Sequence, residues 1–460
     1  MKYLLLPIAL LIFNLSHAQQ EAKRLDSLFT AEYSAGNFNG NVLVADKGKV
    51  VFQKSFGLRN EETKEMLDEN SIFELASVSK QFTAMGIVIL QEKGKLKYED
   101  KLSKFFPELS FYGDVTVRQL LNHTGGLPDY MDLFSANWDR TKMATNKDII
   151  AQFADKKPAA VFAPGTKYEY SNTGYALLGS IIEKVSGMTF GDYLAKNIFK
   201  PLKMDNTFVY MRRYQPREVK NYAYGYVYSN AERKKLLPDG MMNYNMVVWL
   251  DGIVGDGMVN STTGDLLKWD RALKENKLVS KKSMDLIFTP GDLADGTKTN
   301  YGFGWMFSDS PEFGKIISHT GGWPGYVTRI DRYADSDKTL IVLQNSDESR
   351  FPIGAVRNIM FGKPVTGTPR KEIAVAEDKL KQYIGGYEIV PGYVMQVTYE
   401  NGLFTQMPGQ DKFPVFAESE TKFFLKVVDA QLEFFKDEKG TVTKAMLYQN
   451  GQSVSAARVK

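Results

Sequence analysis

Ser77 and Lys80 stand three residues apart in "FELASVSKQFTAMGIVIL", residues 73–90. If a helix begins at Ser77, that spacing puts hydroxyl and amine on one face. From Phe82 to Leu90 only Thr83 is polar, so the helix is apolar all round and is predicted to be buried. Burial strips a lysine of water and favours its neutral form. A neutral amine can take the serine proton and leave a nucleophile, while the N–H groups of the helix start can hold an oxyanion. Ser-x-x-Lys alone is a cheap pattern, and Ser419 and Lys422 form another.

A second group is Tyr170-Ser171-Asn172, on a loop after Pro164-Gly165 and just before a helix predicted from about Thr173. A phenol near a lysine can act as base or proton shuttle. An asparagine amide can hold both a carbonyl and an N–H of a substrate. Tyr228-Ser229-Asn230 and Tyr399-Glu400-Asn401 repeat the spacing. A third group, His319-Thr320-Gly321-Gly322, follows the strand-like "KIIS", and its glycines would let a substrate backbone approach closely. It has a twin, His123-Thr124-Gly125-Gly126, which ends a helical segment and reads with Pro128 as a structural turn.

These groups need elements to hold them. Residues 40–57 alternate around "DKGK" and predict a β-hairpin. Residues 71–275 carry mostly helical patterns, including a start at Ser261 where Thr262 and Asp265 have capping-box spacing. Strand patterns return at "KIISHTGG", "GYVTRIDRYA" and "KTLIVLQN". The economical architecture is α/β (α+β): one sheet joining N- and C-terminal strands, with a helical region between. Residues 363–375 read as a linker. Residues 376–460 show short alternating runs broken by "ENG", "DEKG" and "QNG", which predict a small all-β barrel or sandwich.

The order "SVSK", "YSN", "HTGG" resembles the three signature motifs of the penicillin-recognising serine hydrolases. The likeness is strongest to the branch holding class C β-lactamases, D-alanyl-D-alanine carboxypeptidases and related esterases. "FELASVSKQFTA", "LLNHTGGLP", "YSNTGYALLG", "DGMVNSTTGDL" and "HTGGWPGY" extend it over roughly residues 25–360. The resemblance implies a β-lactamase-like domain over 19–362. Ser77 would be the acylated nucleophile, with Lys80 and Tyr170 handling its proton. Asn172 would bind the substrate amide, and His319, Thr320 and Gly321 would line the substrate from an edge strand. The N–H groups of Ser77 and Gly322 would form the oxyanion hole, and His123 falls to the structural turn. The last 85 residues resemble the lipocalin-like domain that often follows such enzymes. One departure is His319, where many β-lactamases carry lysine. A histidine is mostly neutral at pH 7, so a charge-based grip on a substrate carboxylate would need its protonated form.

The composition of 43% hydrophobic and 24% charged residues is that of a globular protein. A formal charge of +4 gives no argument for nucleic acid. With no cysteine and only three histidines, neither a thiol nucleophile nor a metal or other cofactor is called for. "MKYLLLPIALLIFNLSHAQQ" predicts a signal peptide over 1–18, cleaved after Ala18, and no stable membrane insertion. The expectation is an exported serine acyl hydrolase of the periplasm or cell exterior, acting on a small peptide, ester or β-lactam. A D-amino-acid peptidase or esterase is favoured. The rivals are a β-lactamase, a penicillin-recognising sensor with slow deacylation, and a chain whose purpose is ligand binding in the β module.

Overall fold

The computed structural model describes residues 5–459 apart from 230, 231, 233, 348–350, 364, 366–371, 411, 426–429 and 450–451. Side chains are described from residue 19 on, save those of 137, 449 and 452. The chain divides into two compact units, Met1–Pro364 and Val365–Lys460. Most of the linker read over 363–375 lies outside the described residues. The predicted signal segment is continuous with a helix, α1, over Leu5–Ser34. No described helix is long and apolar enough to cross a membrane.

In the first unit, β1 (Gly40–Asp46) and β2 (Lys49–Phe56) form the expected hairpin. Lys47 and Gly48 at its tip both have positive φ, the two-residue turn that suits the strand twist. Three short strands follow, β3 (Phe73–Glu74), β4 (Phe208–Val209) and β5 (Val259–Ser261), of which β5 lies in the middle and pairs with both others. Between them lie α2 (Lys80–Glu92) and α3 (Asn172–Ser186). The helix α4 (Thr263–Lys274) starts where the capping pattern places it, with Thr262 accepting from the Asp265 N–H. The sheet is completed by β6 (Met306–Ser310), β7 (Gly314–Trp323), β8 (Tyr326–Tyr333) and β9 (Lys338–Gln344). Its order is β6-β7-β8-β9-β1-β2, antiparallel throughout. The N-terminal hairpin thus docks onto the C-terminal strands, with Val42 opposite Val342. Strand β9, "KTLIVLQ", is buried along nearly its whole length, as a near-continuous apolar run in mid-sheet requires.

One correction concerns β7, which was expected at an edge. β6 covers it on the outer side, but only as far as Ser318 opposite Met306. Residues 319–323 extend past the end of β6, so the half of β7 that carries the motif keeps one free side.

The core explains why α2 is apolar all round. Every residue from Lys80 to Leu90 is buried. Phe82 lies 4.7 Å from Trp269 and 5.4 Å from Phe199, ring centre to ring centre, and the Trp269 indole donates to Gln81 Oε1 at 2.9 Å.

The second unit is a closed barrel of eight strands, from β10 (Gly385–Val390) to β17 (Gln452–Val459). Each strand pairs antiparallel with the next and the last returns to the first. Its interior holds Tyr387, Phe423, Leu432 and Phe434, with Tyr383 stacked on Phe434 at 4.4 Å. Ser419 and Lys422 are part of a hairpin turn here, where Ser419 Oγ accepts from the Lys422 N–H. Asn401 also lies at a turn, with φ of +56°. Of the third repeat, Tyr228 and Ser229 lie in the strand Val227–Ser229, and Asn230 lies outside the described residues.

Phe82→Ala is expected to cost about 3–5 kcal/mol, because three large rings lose their shared contact. A denaturant midpoint measured against the parent protein checks this.

Candidate active site

Ser77 sits in a single 3₁₀ turn, Ala76–Ser79, that runs directly into α2. Ala76 just before it has φ of +47°, a conformation non-glycine residues avoid. That turn is pinned from two sides. The Leu75 N–H donates to the Val259 carbonyl of β5, and Thr328 Oγ1 of β8 donates to the Leu75 carbonyl at 2.7 Å. Gly321 lies against the same backbone. A Cβ there would stand 2.3 Å from the Leu75 oxygen and 3.1 Å from the Ser77 nitrogen, so β7 can approach only with glycine at this position.

Lys80 is fully buried, and its ammonium faces three acceptors. They are Ser77 Oγ at 3.2 Å, Asn172 Oδ1 at 3.0 Å and the Asp256 carbonyl at 2.9 Å. Three acceptors match the three N–H donors that lysine offers. The nitrogen also lies 4.9 Å from the centre of the Tyr170 ring. Tyr170 is about one-third exposed, on the loop before α3. Asn172 opens α3, and Ser171 caps it by accepting from the Gly174 N–H. The Asn172 amide is engaged on both ends, since Nδ2 donates to Asp129 Oδ2 at 3.3 Å. Its first task in the free protein is therefore to hold Lys80, although it also lines the cavity described below.

His319 differs most from the sequence expectation. It is 1% exposed and points away from the cavity, whereas Thr320 and Gly322 face outward. Both ring nitrogens are taken: Nδ1 pairs with the Thr320 carbonyl at 2.7 Å and Nε2 with Tyr301 Oη at 2.8 Å. Those partners place the proton on Nδ1 and leave Nε2 to accept from the phenol. Burial, helped by the Lys80 charge, lowers its pKa to about 3. His319 is neutral across the working pH range and supplies no charge for a substrate carboxylate.

The twin His123 holds more than a turn. Its φ is +58°, as the turn reading requires. Its Nδ1 also accepts from the Ser171 N–H at 3.0 Å, and its ring lies 4.3 Å from Tyr170 and 4.4 Å from Tyr301. His123, Tyr301 and His319 thus form one buried layer under the Tyr170 loop.

Ser77, Asn172 and Gly322 open onto a cavity of about 280 Å³. Several lining residues went unnoticed in the sequence: Glu74, Tyr130, Asp256 and Trp323, with Leu250, Ile253 and Met258 supplying apolar wall. Tyr130 Oη donates to Asp256 Oδ2 at 2.9 Å. Glu74, Asp256, Met258 and Trp323 lie within the quoted phrases "FELASVSKQFTA", "DGMVNSTTGDL" and "HTGGWPGY", whereas Tyr130, Leu250 and Ile253 lie outside them, and none matches a chemical pattern by spacing, because long-range packing brings them together.

The model of the family described as "Beta-lactamase" matches residues 25–359. The chain belongs to the Beta-lactamase family. A domain family of unknown function, DUF3471, matches residues 369–457. Penicillin-binding protein 4* of Bacillus subtilis (strain 168) is 43% identical over 451 residues, which cover 96% of this chain and 100% of that protein. The penicillin binding protein of Bacillus halodurans shares the fold with a TM-score of 0.61 at 25% identity, covering 73% of this chain and 97% of its own. The octameric penicillin-binding protein homologue of Pyrococcus abyssi has a TM-score of 0.64 at 26% identity, covering 93% and 98%. The β-lactamase fold of this serine hydrolase family therefore carries the Ser77–Lys80 turn, the Tyr170 loop and the β7 motif to one place.

Two outcomes follow. Between pH 6.5 and about 3 an unfolded histidine binds a proton that folded His319 refuses, so stability falls as pH drops through that window. His319→Asn should make the fall of melting temperature between pH 7 and 4 shallower. His123→Ala should slow covalent labelling of Ser77 by a fluorophosphonate about tenfold or more, because the Tyr170 loop loses its anchor. A purely structural role would leave the labelling rate of the folded protein unchanged.

Proposed function

We propose that the chain is an exported serine acyl hydrolase that forms an acyl-enzyme on Ser77. Its substrate is a D-amino-acid peptide or amide, or an ester, and a β-lactam would acylate the same serine. The observation that carries this reading is the Lys80 nitrogen, buried and shared between Ser77 Oγ, Asn172 and the Asp256 carbonyl, beside Tyr170. The 43% identical relative, named a penicillin-binding protein along its whole length, supports a covalent serine step. Export rests on the apolar stretch Leu4–Phe13 followed by a cleavage point after Ala18.

In the reacting form Lys80 is the neutral amine, donating to Asn172 Oδ1 and the Asp256 carbonyl and turning its lone pair to the Ser77 hydroxyl; Ser77 Oγ attacks the substrate carbonyl carbon as its proton passes to Lys80 Nζ of the Lys80–Tyr170 pair. Lys80 Nζ lies 3.2 Å from Ser77 Oγ, so that transfer is one hydrogen bond long, and the Tyr170 ring centre stands 4.9 Å from the same nitrogen. The Ser77 and Gly322 N–H groups hold the oxyanion at the cavity wall. The pair then gives the proton to the leaving amine or alcohol as the C–N or C–O bond breaks. Water attacks the acyl-serine by the same route in reverse, releasing the acid and restoring Ser77.

Mass spectrometry after treatment with a β-lactam should find the adduct on Ser77, and Ser77→Ala should lower turnover at least about a thousandfold with the fold intact. An adduct on Ser171 or Ser419 would overturn the assignment. With a chromogenic ester, a burst followed by steady turnover marks an enzyme, and a burst alone marks a sensor.

A further inference from the structure

Glu74 lies three residues before the nucleophile, in β3, and forms part of the cavity wall. It is 4% exposed. Among the described residues no hydrogen bond or ion pair reaches its carboxylate; Arg213, Asp251 and Arg212 act on it from beyond contact, and the Tyr222 and Tyr326 phenols lie close enough to feel its charge. The two arginines are already engaged. Arg212 and Arg213 both grip Asp239, with contacts of 2.7–2.9 Å, and Arg213 also reaches Asp251 at 3.2 Å. Two cations thus face two carboxylates, and Glu74 is a third without a counterion of its own. Burial pushes its pKa up to about 7, offset in part by Arg213.

A buried carboxylate that lacks a partner is costly, and it stands where a bound molecule would complete it. The rest of the wall offers no competing cation. Lys80 lies beneath Ser77 with its three donors committed, under the influence of Asp256 and Asp129. His319 is buried and neutral. Leu250, Ile253, Met258 and Trp323 make the remaining surface apolar, and among the described residues the buried Trp323 indole N–H has no hydrogen-bond partner. A molecule that fits these walls carries an apolar body, an acceptor for the indole and one positive charge.

Resting on the reading of this cavity as the acyl-donor site, we infer that Glu74 is a specificity-determining residue that receives the substrate's ammonium group. The enzyme therefore prefers aminoacyl amides, peptides or esters with a free amine over neutral or anionic acyl donors. The same geometry disfavours a substrate recognised through a carboxylate in this cavity, because that group would meet Glu74 instead of a cation.

Three p-nitroanilides of similar size test the inference at about pH 7.5, between the Glu74 value of about 7 and the roughly 7.7–8.0 of an α-ammonium, so that both charges are mostly present. They are alanyl p-nitroanilide in both D and L forms, its desamino analogue propionyl p-nitroanilide, and the anionic succinyl p-nitroanilide. The better alanyl enantiomer should exceed propionyl in kcat/KM at least about tenfold, and succinyl should fall below propionyl. In Glu74→Gln the alanyl-to-propionyl ratio should collapse toward one, and the ratio cancels any general loss of folded enzyme. A measurement that needs neither turnover nor a variant is calorimetric binding to the parent protein. There n-pentylammonium should bind at least about tenfold more tightly than 1-pentanol. Equal binding of the two, or a wild-type preference for propionyl or succinyl, overturns the role of Glu74. Failure of a β-lactam or fluorophosphonate to label Ser77 would instead overturn the catalytic reading, while the calorimetric comparison still decides the charge.

Discussion

The Lys80 nitrogen is the point on which the first unit turns. It joins three stretches far apart in sequence: the Ser77 turn, the start of α3 at Asn172 and the loop at Asp256. A lysine without exposure is tolerated only if its donors are met. Removing one partner from such a buried charged group costs about 3–5 kcal/mol, so these three segments hold one another in register. The same three contacts place a hydroxyl, an amide and a carbonyl around one nitrogen. Structural satisfaction of Lys80 and assembly of the site are one arrangement.

A second layer keeps that arrangement rigid. His123, Tyr170, Tyr175 and Tyr301 pack ring against ring, with Tyr175 Oη donating to the Leu121 carbonyl and Tyr301 meeting His319. The histidines are neutral members of a buried network, for burial acts against their charged forms. The positive φ of Ala76 adds local strain directly before the nucleophile. It persists because β5, β8 and Gly321 of β7 fix the turn from both sides.

Charge in the cavity is distributed unevenly as a result. The cation lies below the nucleophile and is saturated, whereas Glu74 on the wall is not. The neighbouring Arg212, Arg213, Asp239 and Asp251 balance one another and leave no arginine for a ligand. A site of this family thereby acquires a preference of sign from residues outside its signature motifs.

The sequence by itself determined the parts whose cause is local. The Ser77–Lys80 spacing, the all-round apolar α2, the "DKGK" hairpin, the Thr262 cap and the run of β hairpins were readable, because helix periodicity, turn chemistry and capping act over a few residues. Motif order also chose Ser77, Tyr170 and His319 over their repeats. Tertiary structure decided what depends on pairing and direction. Alternation along β7 turned His319 inward and Thr320 outward. Strand β6, unread in the sequence, covered half of β7 and left the other half free. Packing put His123 beneath Tyr170 and Glu74 on the cavity wall without a counterion. Those outcomes rest on contacts between residues tens to hundreds of positions apart, and which side chains meet across such separations is set by how sheet and helices close on one another, which no local pattern encodes.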